Sequence, residues 1–171
     1  MTPIPRLDGS ESSGNAVEVA LGALGVAEHP DYLVTKALGS CVGIALWDSV
    51  LHRGALAHSM LPTPVSHQHP GNSERFVVFA LPEMVRRLEA LGSKRRSLVA
   101  KIAGGSAMFQ FDGLLAGIGE RNAAEARNQL RLLKIPLIAE DIGERHARTV
   151  ELHLDTGLFL VRSYVYGVIR L

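Results

Sequence analysis

The apolar residues of this chain occur in short segments divided by Gly, Pro and Asp, and this pattern limits the fold more than any other feature. From Val17 onward the segments follow one another without an internal repeat. Short apolar runs bounded by turn residues are typical of strands, whereas helices need longer periodic stretches. The sequence predicts about two helices and six or seven strands, mostly sequential. This favours an α+β fold, with helices packed on antiparallel or mixed sheets.

The predicted strands differ from the predicted helices in length and periodicity. The strands cover residues 33–35, 42–47, 54–58, 97–103, 137–142, 149–154 and 158–164. One helix covers 76–91, its strong part beginning at Pro82, a residue suited to a first helical turn. Met84, Val85, Leu88 and Leu91 lie on one face of this helix, and Gly92 ends it. The other helix covers 122–133, before Pro136.

The chain length of 171 residues fits a single domain. Residues 1–15 contain prolines, glycines and serines with little to bury, so we expect a flexible lead-in. Residues 16–171 form the predicted domain. Residues 62–75 are polar and rich in Pro, Gly and Ser, and internal loops of this length are often functional.

Charge and composition exclude several classes of function. The formal net charge is +1 and aromatic residues make up 5%, which argues against a nucleic-acid partner. No segment reaches the roughly 20 apolar residues that span a bilayer, so we expect no membrane insertion. The most apolar stretch, 19–27, has no basic segment before it, so we do not interpret it as a secretory signal. Cys41 is the only cysteine, which excludes an internal disulfide and a multi-thiolate zinc site; we expect a cytoplasmic protein.

Cys41 and His58 lie on two strands that can pair as a hairpin. If the turn covers 48–51, Trp47 faces His52 and Cys41 faces His58, with Cβ atoms about 4.5–5.5 Å apart on one side of the sheet. A cysteine hydrolase needs an imidazole that takes the thiol proton, and the resulting ion pair keeps the thiolate available. A register slip of one residue would place the two side chains on opposite faces. The alternative interpretation of Cys41 is a buried structural cysteine.

Three further features bear on this site. Thr35 lies six residues before Cys41, and its hydroxyl could accept the imidazole N–H; the alternative is an ordinary strand threonine. The Gly-Gly-Ser run at 104–106 predicts a turn where two backbones approach closely beside the cleft. His67 and His69 have no carboxylate or thiolate at ligand spacing, so we interpret them as exposed loop histidines. We expect no metal and no cofactor.

Several sequence blocks together resemble the CheD family, the chemoreceptor glutamine deamidases of bacterial chemotaxis. LGSCVGIALWD is followed by AHSMLP, with 17 positions from Cys to His, and then by AKIAGGSAMF, IGERN, AEDIG and the Thr156-Gly157 turn. The resemblance covers roughly residues 17–165. It implies hydrolysis of glutamine side chains on methyl-accepting chemoreceptors, with a Cys-His-Thr triad of Cys41, His58 and Thr35. It also implies a sandwich fold related to the deamidase domain of cytotoxic necrotising factors, and the CheC phosphatase as a partner in some bacteria.

The expected mechanism is acyl transfer through a thioester on Cys41. The backbone N–H groups of Ser40 and Cys41 are the candidate oxyanion donors. A glutamyl methyl ester passes through the same acyl intermediate, so an esterase activity is also expected. The alternative function is a mainly non-catalytic regulator that binds CheC or receptors.

Overall fold

Ten strands and two α-helices make up the described part of the chain, residues 6–11, 13–65, 71–110 and 112–171 of a computed structural model. The helices are α1 (Val77–Ala90) and α2 (Ile118–Leu133). The strands are β1 (Ala16–Glu18), β2 (Leu24–Glu28), β3 (Tyr32–Leu38), β4 (Val42–Asp48), β5 (Arg53–Ser59), β6 (Leu98–Gly104), β7 (Leu137–Ile142), β8 (Arg148–His153), β9 (Phe159–Ser163) and β10 (Gly167–Arg170).

The strands form two mixed sheets of five strands each. Sheet I has the order β1-β3-β8-β9-β10, and sheet II has the order β2-β5-β4-β6-β7. The pairs β1–β3 and β6–β7 are parallel, and the other pairs are antiparallel. Because β3 belongs to sheet I and β4 to sheet II, residues 39–41 carry the chain from one sheet to the other.

Sheet II is the middle of three layers and is covered on both faces. Along β4, Val42, Ile44 and Leu46 pack in the core that contains the helices. Ala45 points the other way and packs in the core that contains residues of sheet I. Successive side chains of a strand point to opposite faces, so a strand covered on both sides is apolar throughout. This explains the continuous apolar run of β4.

The predicted α+β class, with mixed and largely antiparallel sheets and packed helices, is confirmed, but the predicted number of strands was too low. The seven predicted strands correspond to β3 through β9. The sequence analysis did not identify β1, β2 or β10, which are short and lie at sheet edges. An edge strand exposes one side to solvent and carries a weaker apolar pattern than a central strand. The division into a lead-in of residues 1–15 and a domain of residues 16–171 stays a prediction.

Helix α1 begins one residue after its predicted start at residue 76, and helix α2 begins earlier than predicted. Helix α1 begins at Val77, so Pro82 lies in its interior, where it removes one donor of the helical ladder. Leu91, predicted on the buried face, is 47% exposed because it follows the last helical residue. Gly92, with φ of +99°, ends α1 as predicted. Helix α2 begins at Ile118, four residues before the predicted start.

The predicted loop 62–75 lies only partly within the described residues. Its last residues form a short 3-10 turn, Ser73–Arg75. Residues 66–70, which include His67 and His69, lie outside the described residues. Among the helices described here, none combines the length and apolar character that crossing a bilayer requires.

Candidate active site

Cys41 lies at the crossing between the two sheets. Strand β3 is irregular between Thr35 and Leu38, where Ala37 has a positive φ of 58°. After this bend the chain leaves sheet I, passes through residues 39–41 and enters β4 of sheet II. Cys41 is half-buried and packs against the core between the sheets. Strained backbone of this kind is typical of functional sites.

His58 lies on the strand next to β4, on the same face as Cys41, but not directly opposite it. The observed register pairs Gly43 with His58 and Asp48 with Arg53. The predicted pairing of Cys41 with His58 was therefore wrong by two positions. Because side chains alternate with a period of two, this shift keeps both residues on the side that faces sheet I. They form a diagonal pair, for which Cα atoms are roughly 7–8 Å apart.

Thr35 reaches His58 from the opposite sheet. Its hydroxyl donates to the carbonyl oxygen of Val19 at 2.7 Å, and Thr35 Oγ1 lies 2.8 Å from His58 Nδ1. Since the hydroxyl proton is used for Val19, the Oγ1 atom accepts from Nδ1–H. This pattern assigns the imidazole proton to Nδ1 and leaves Nε2 with its lone pair. Among the described residues Nε2 has no hydrogen-bond partner.

The backbone of His58 is fixed by the turn that precedes β2. His58 N–H donates to the carbonyl of Ala23 at 2.9 Å, and Gly22 N–H donates to the carbonyl of His58 at 2.9 Å. The side chain is 2% exposed, so its position is set on all sides by protein. The neutral, oriented imidazole is the form that a general base requires.

Burial shifts both titrating groups towards their neutral forms. It lowers the pKa of His58 to about 4, and it raises the pKa of the Cys41 thiol. Removal from water disfavours the charged form of either group. The favoured resting state is therefore a neutral thiol with a neutral imidazole, and not the ion pair expected from the sequence.

A cavity of about 550 Å³ is lined by Ser40, the residue before Cys41, whereas Cys41, His58 and Thr35 are not among its lining residues. Ser40, Gly105 and Ser106 line it, together with residues from the start of α2. The predicted close approach at the Gly-Gly-Ser run is confirmed, because a Cβ atom on Gly104 would lie 2.3 Å from the carbonyl oxygen of Cys41. Ser40 therefore connects the cavity wall to Cys41, the next residue in the chain.

Asn122 lies in one of the blocks that carry the family resemblance, but no role for it was predicted. Asn122 is fully buried on α2 and donates to the carbonyls of Ser40 and Met60, each at 2.9 Å. The signal for it was a polar residue in the apolar register of a helix, four positions before Ala126. Within the described ranges, no cluster of three or more His, Cys, Asp or Glu side chains is arranged to hold a metal ion.

Comparison with known proteins places these residues in a family context. Residues 60–163, more than half of the chain, match the family model CheD, described as CheD chemotactic sensory transduction. A Clostridium botulinum (strain Hall) protein named "Probable chemoreceptor glutamine deamidase CheD" is 37% identical over 153 residues, covering 88% of this chain and 94% of that protein. A Geobacter metallireducens protein named "Probable chemoreceptor glutamine deamidase CheD 2" is 43% identical over 150 residues, covering 86% and 93%.

The family model begins two positions after His58, but the pairwise matches reach further. An alignment that covers 88% of a 171-residue chain must include the segment from Thr35 to His58. The relatives therefore match this chain across the whole candidate site as well as the downstream blocks.

Proposed function

The chain belongs to the CheD family, and on that premise we propose that it hydrolyses glutamine side-chain amides of methyl-accepting chemoreceptors to glutamate and ammonia. The observation that carries the proposal is the hydrogen bond from His58 Nδ1–H to Thr35. Within the described part of the chain this bond leaves the Nε2 lone pair without a partner, on the face of sheet II that also carries Cys41. The names of the relatives supply the substrate class.

The proposed reaction begins with attack by Cys41 Sγ on the glutamine side-chain carbonyl carbon. His58 Nε2 takes the thiol proton as the C–S bond forms, and the carbonyl oxygen becomes an oxyanion. The oxyanion then collapses, the C–N bond breaks, and His58 returns the proton to the departing ammonia. Water next attacks the thioester while His58 accepts its proton. The C–S bond breaks, Cys41 recovers a proton, and glutamate leaves.

The pKa shifts determine when the proton moves. Because burial lowers the pKa of His58 and raises that of Cys41, the free protein holds the neutral pair. Activation of Cys41 therefore requires transfer of the thiol proton to His58 Nε2 within the catalytic cycle. Thr35 stabilises the imidazolium that forms, since its oxygen accepts the Nδ1–H bond.

Three finer statements belong to the same proposal. A glutamyl methyl ester would react through the same thioester, with methanol leaving in place of ammonia. The likeness to the cytotoxic necrotising factor domain and the cytoplasmic location remain predictions from the sequence.

One observation favours the alternative, a mainly regulatory protein that binds receptors or the CheC phosphatase. Burial raises the pKa of the Cys41 thiol, so the neutral and less nucleophilic form is favoured in the free protein. A regulator of this type would bind receptors without changing their mass.

The deciding experiment incubates purified receptor cytoplasmic fragments with the protein and measures ammonia release and receptor mass. We expect conversion of selected glutamines by the wild type and none by Cys41→Ala or His58→Ala. The control is His52→Ala, which removes a histidine from the turn of the same hairpin. Activity that survives in Cys41→Ala would exclude Cys41 as nucleophile. Receptor binding by a wild type that releases no ammonia would favour the regulatory function.

A further inference from the structure

Asn122 links the two chain segments that carry the candidate nucleophile and base. Its Nδ2 group donates to the carbonyl of Ser40, the residue before Cys41, and to the carbonyl of Met60, two residues after His58. The side chain is fully buried, and no described residue donates to its Oδ1 atom. A buried amide oxygen without a partner costs stability. The chain therefore has an energetically unfavourable amide oxygen at a position where the amide N–H groups bind the carbonyls of Ser40 and Met60.

The Ser40 bond completes a set of three that fixes the crossing segment from one side. The carbonyls of Gly39 and Cys41 accept from Ser106 N–H at 2.9 Å and Gly105 N–H at 2.8 Å. The carbonyl between them, that of Ser40, accepts from Asn122 at 2.9 Å. Two of these three donors are backbone N–H groups, and the third is the side chain of Asn122.

These three bonds orient the N–H groups as well as the carbonyls. In a trans peptide the N–H points away from the preceding carbonyl, so the bond to Ser40 directs the N–H of Cys41 away from α2. Among the described residues, neither Ser40 N–H nor Cys41 N–H donates to a protein oxygen. The Cys41 N–H acts on its own sulfur, whose pKa it lowers, although burial raises that pKa by more. Both N–H groups therefore lie next to the nucleophile, and no oxygen of the described residues accepts from either of them.

We propose that Asn122 is a positioning residue, which holds the Ser40–Cys41 peptide so that the Cys41 N–H stabilises the oxyanion formed on the glutamine carbonyl. This inference rests on the proposed function and extends it. Oxyanion donors act by being oriented before the charge develops, so loosening the peptide weakens the transition state more than substrate binding. The second hydrogen bond of Asn122, to the carbonyl of Met60, links this peptide to the residue that follows β5.

The test compares Asn122→Ala and Asn122→Ser with the matched control Asn128→Ala, on the same helix. Asn128 is partly exposed, and its side-chain hydrogen bonds within the described residues join Glu125 and Arg131 of the same helix. Two rates are measured for each protein: ammonia release from receptor fragments, as kcat and KM, and alkylation of Cys41 by iodoacetamide. Alkylation consumes the thiolate without forming an oxyanion. Circular dichroism gives the folded fraction of each variant, and a reactive site is an alkylatable Cys41 in that folded fraction.

We expect Asn122→Ala to lower kcat by about 100-fold per reactive site, the loss typical of one oxyanion-hole donor. KM and the alkylation rate should change little. Asn122→Ser keeps one donor and should retain an intermediate kcat, and it decides the matter if the alanine variant does not fold. Asn128→Ala should match the wild type in both rates.

Two results would overturn the inference. In the first, kcat per reactive site is unchanged in the Asn122 variants. In the second, kcat and alkylation fall together, which marks a merely structural role. A wild type whose Cys41 is alkylated normally but which releases no ammonia would overturn the proposed function, and the inference with it.

Discussion

At the scale of single residues, the Thr35 hydroxyl determines which nitrogen of His58 carries the proton. Thr35→Val keeps the shape of the side chain but removes the acceptor for Nδ1–H, so the imidazole can adopt the wrong tautomer. We expect kcat for ammonia release to fall by about tenfold, equivalent to about 1.4 kcal/mol for one hydrogen bond. Thr35→Ser keeps the hydroxyl and serves as the control. A valine variant as active as the wild type would contradict the orienting role.

The buried imidazole of His58 also makes stability depend on pH. Its pKa falls from the ordinary 6.5 to about 4, so the unfolded chain binds a proton more readily than the folded one. The contribution of neutral His58 is fully present above pH 6.5 and is lost as the pH falls towards 4. Between pH 7 and pH 5 we expect the wild type to lose on the order of 2 kcal/mol of unfolding free energy relative to His58→Gln. Urea denaturation measures this difference, and equal losses in both proteins would refute the assignment.

At the scale of elements, the β4–β5 hairpin shows how far sequence patterns reach. The short apolar runs on either side of a turn predict both strands and their hairpin, and the alternation of side chains along paired strands places Cys41 and His58 on one face. The register does not, because it depends on the turn. The side chain of Asp48 accepts from the N–H groups of Val50 and Leu51, which starts the turn one residue later than predicted. That single step moves His58 opposite Gly43.

Gly104, the last residue of β6, lies close to the backbone of Cys41, just before β4. This contact gives a second prediction about these elements. Gly104 has φ of +110°, and a Cβ there would lie 2.3 Å from the carbonyl oxygen of Cys41. Gly104→Ala therefore displaces the crossing segment, and we expect both stability and ammonia release to fall. The control is Gly167→Ala, with φ of +67° and no atom within 4 Å of the added Cβ. It carries only the conformational cost of about 1–2 kcal/mol.

Urea denaturation and ammonia release, measured on both glycine variants, separate the contact from the backbone strain. Gly104→Ala should be the less stable protein and the only one with reduced kcat. Equal effects of the two substitutions would show that the contact with Cys41 is unimportant.

At the scale of the whole molecule, the site depends on contacts between layers, which a single sequence does not reveal. Thr35 belongs to sheet I and His58 to sheet II, so their bond exists only because the sheets pack face to face. Asn122 reaches the site from the helical layer on the other face of sheet II. Local pattern predicts strands and helices, and the family resemblance suggested the triad. The contact between Thr35 and His58 was among these predictions, whereas the contacts of Asn122 with Ser40 and Met60 were not.

The first described residues show the same dependence on distant contacts. Arg6 forms an ion pair with Asp155 at 3.1 Å, and the backbone N–H of Leu7 donates to the buried carboxylate of Glu151 at 3.0 Å. Both acceptors belong to the region around β8, the middle strand of sheet I. These contacts connect the predicted lead-in to the sheet that carries Thr35.

The contribution of this segment is measurable by comparing two ion pairs that differ in exposure. The Arg6 and Asp155 side chains are 17% and 32% exposed, whereas Lys36 and Glu18 are 60% and 61% exposed. Exposed pairs are screened by water and contribute little. We expect Arg6→Ala to lower the unfolding free energy by about 1 kcal/mol and Lys36→Ala by less than about half of that. Ammonia release per folded molecule should stay unchanged in both. If thermal denaturation finds the two variants equally stable, the Arg6–Asp155 pair contributes no more to the fold than an exposed ion pair.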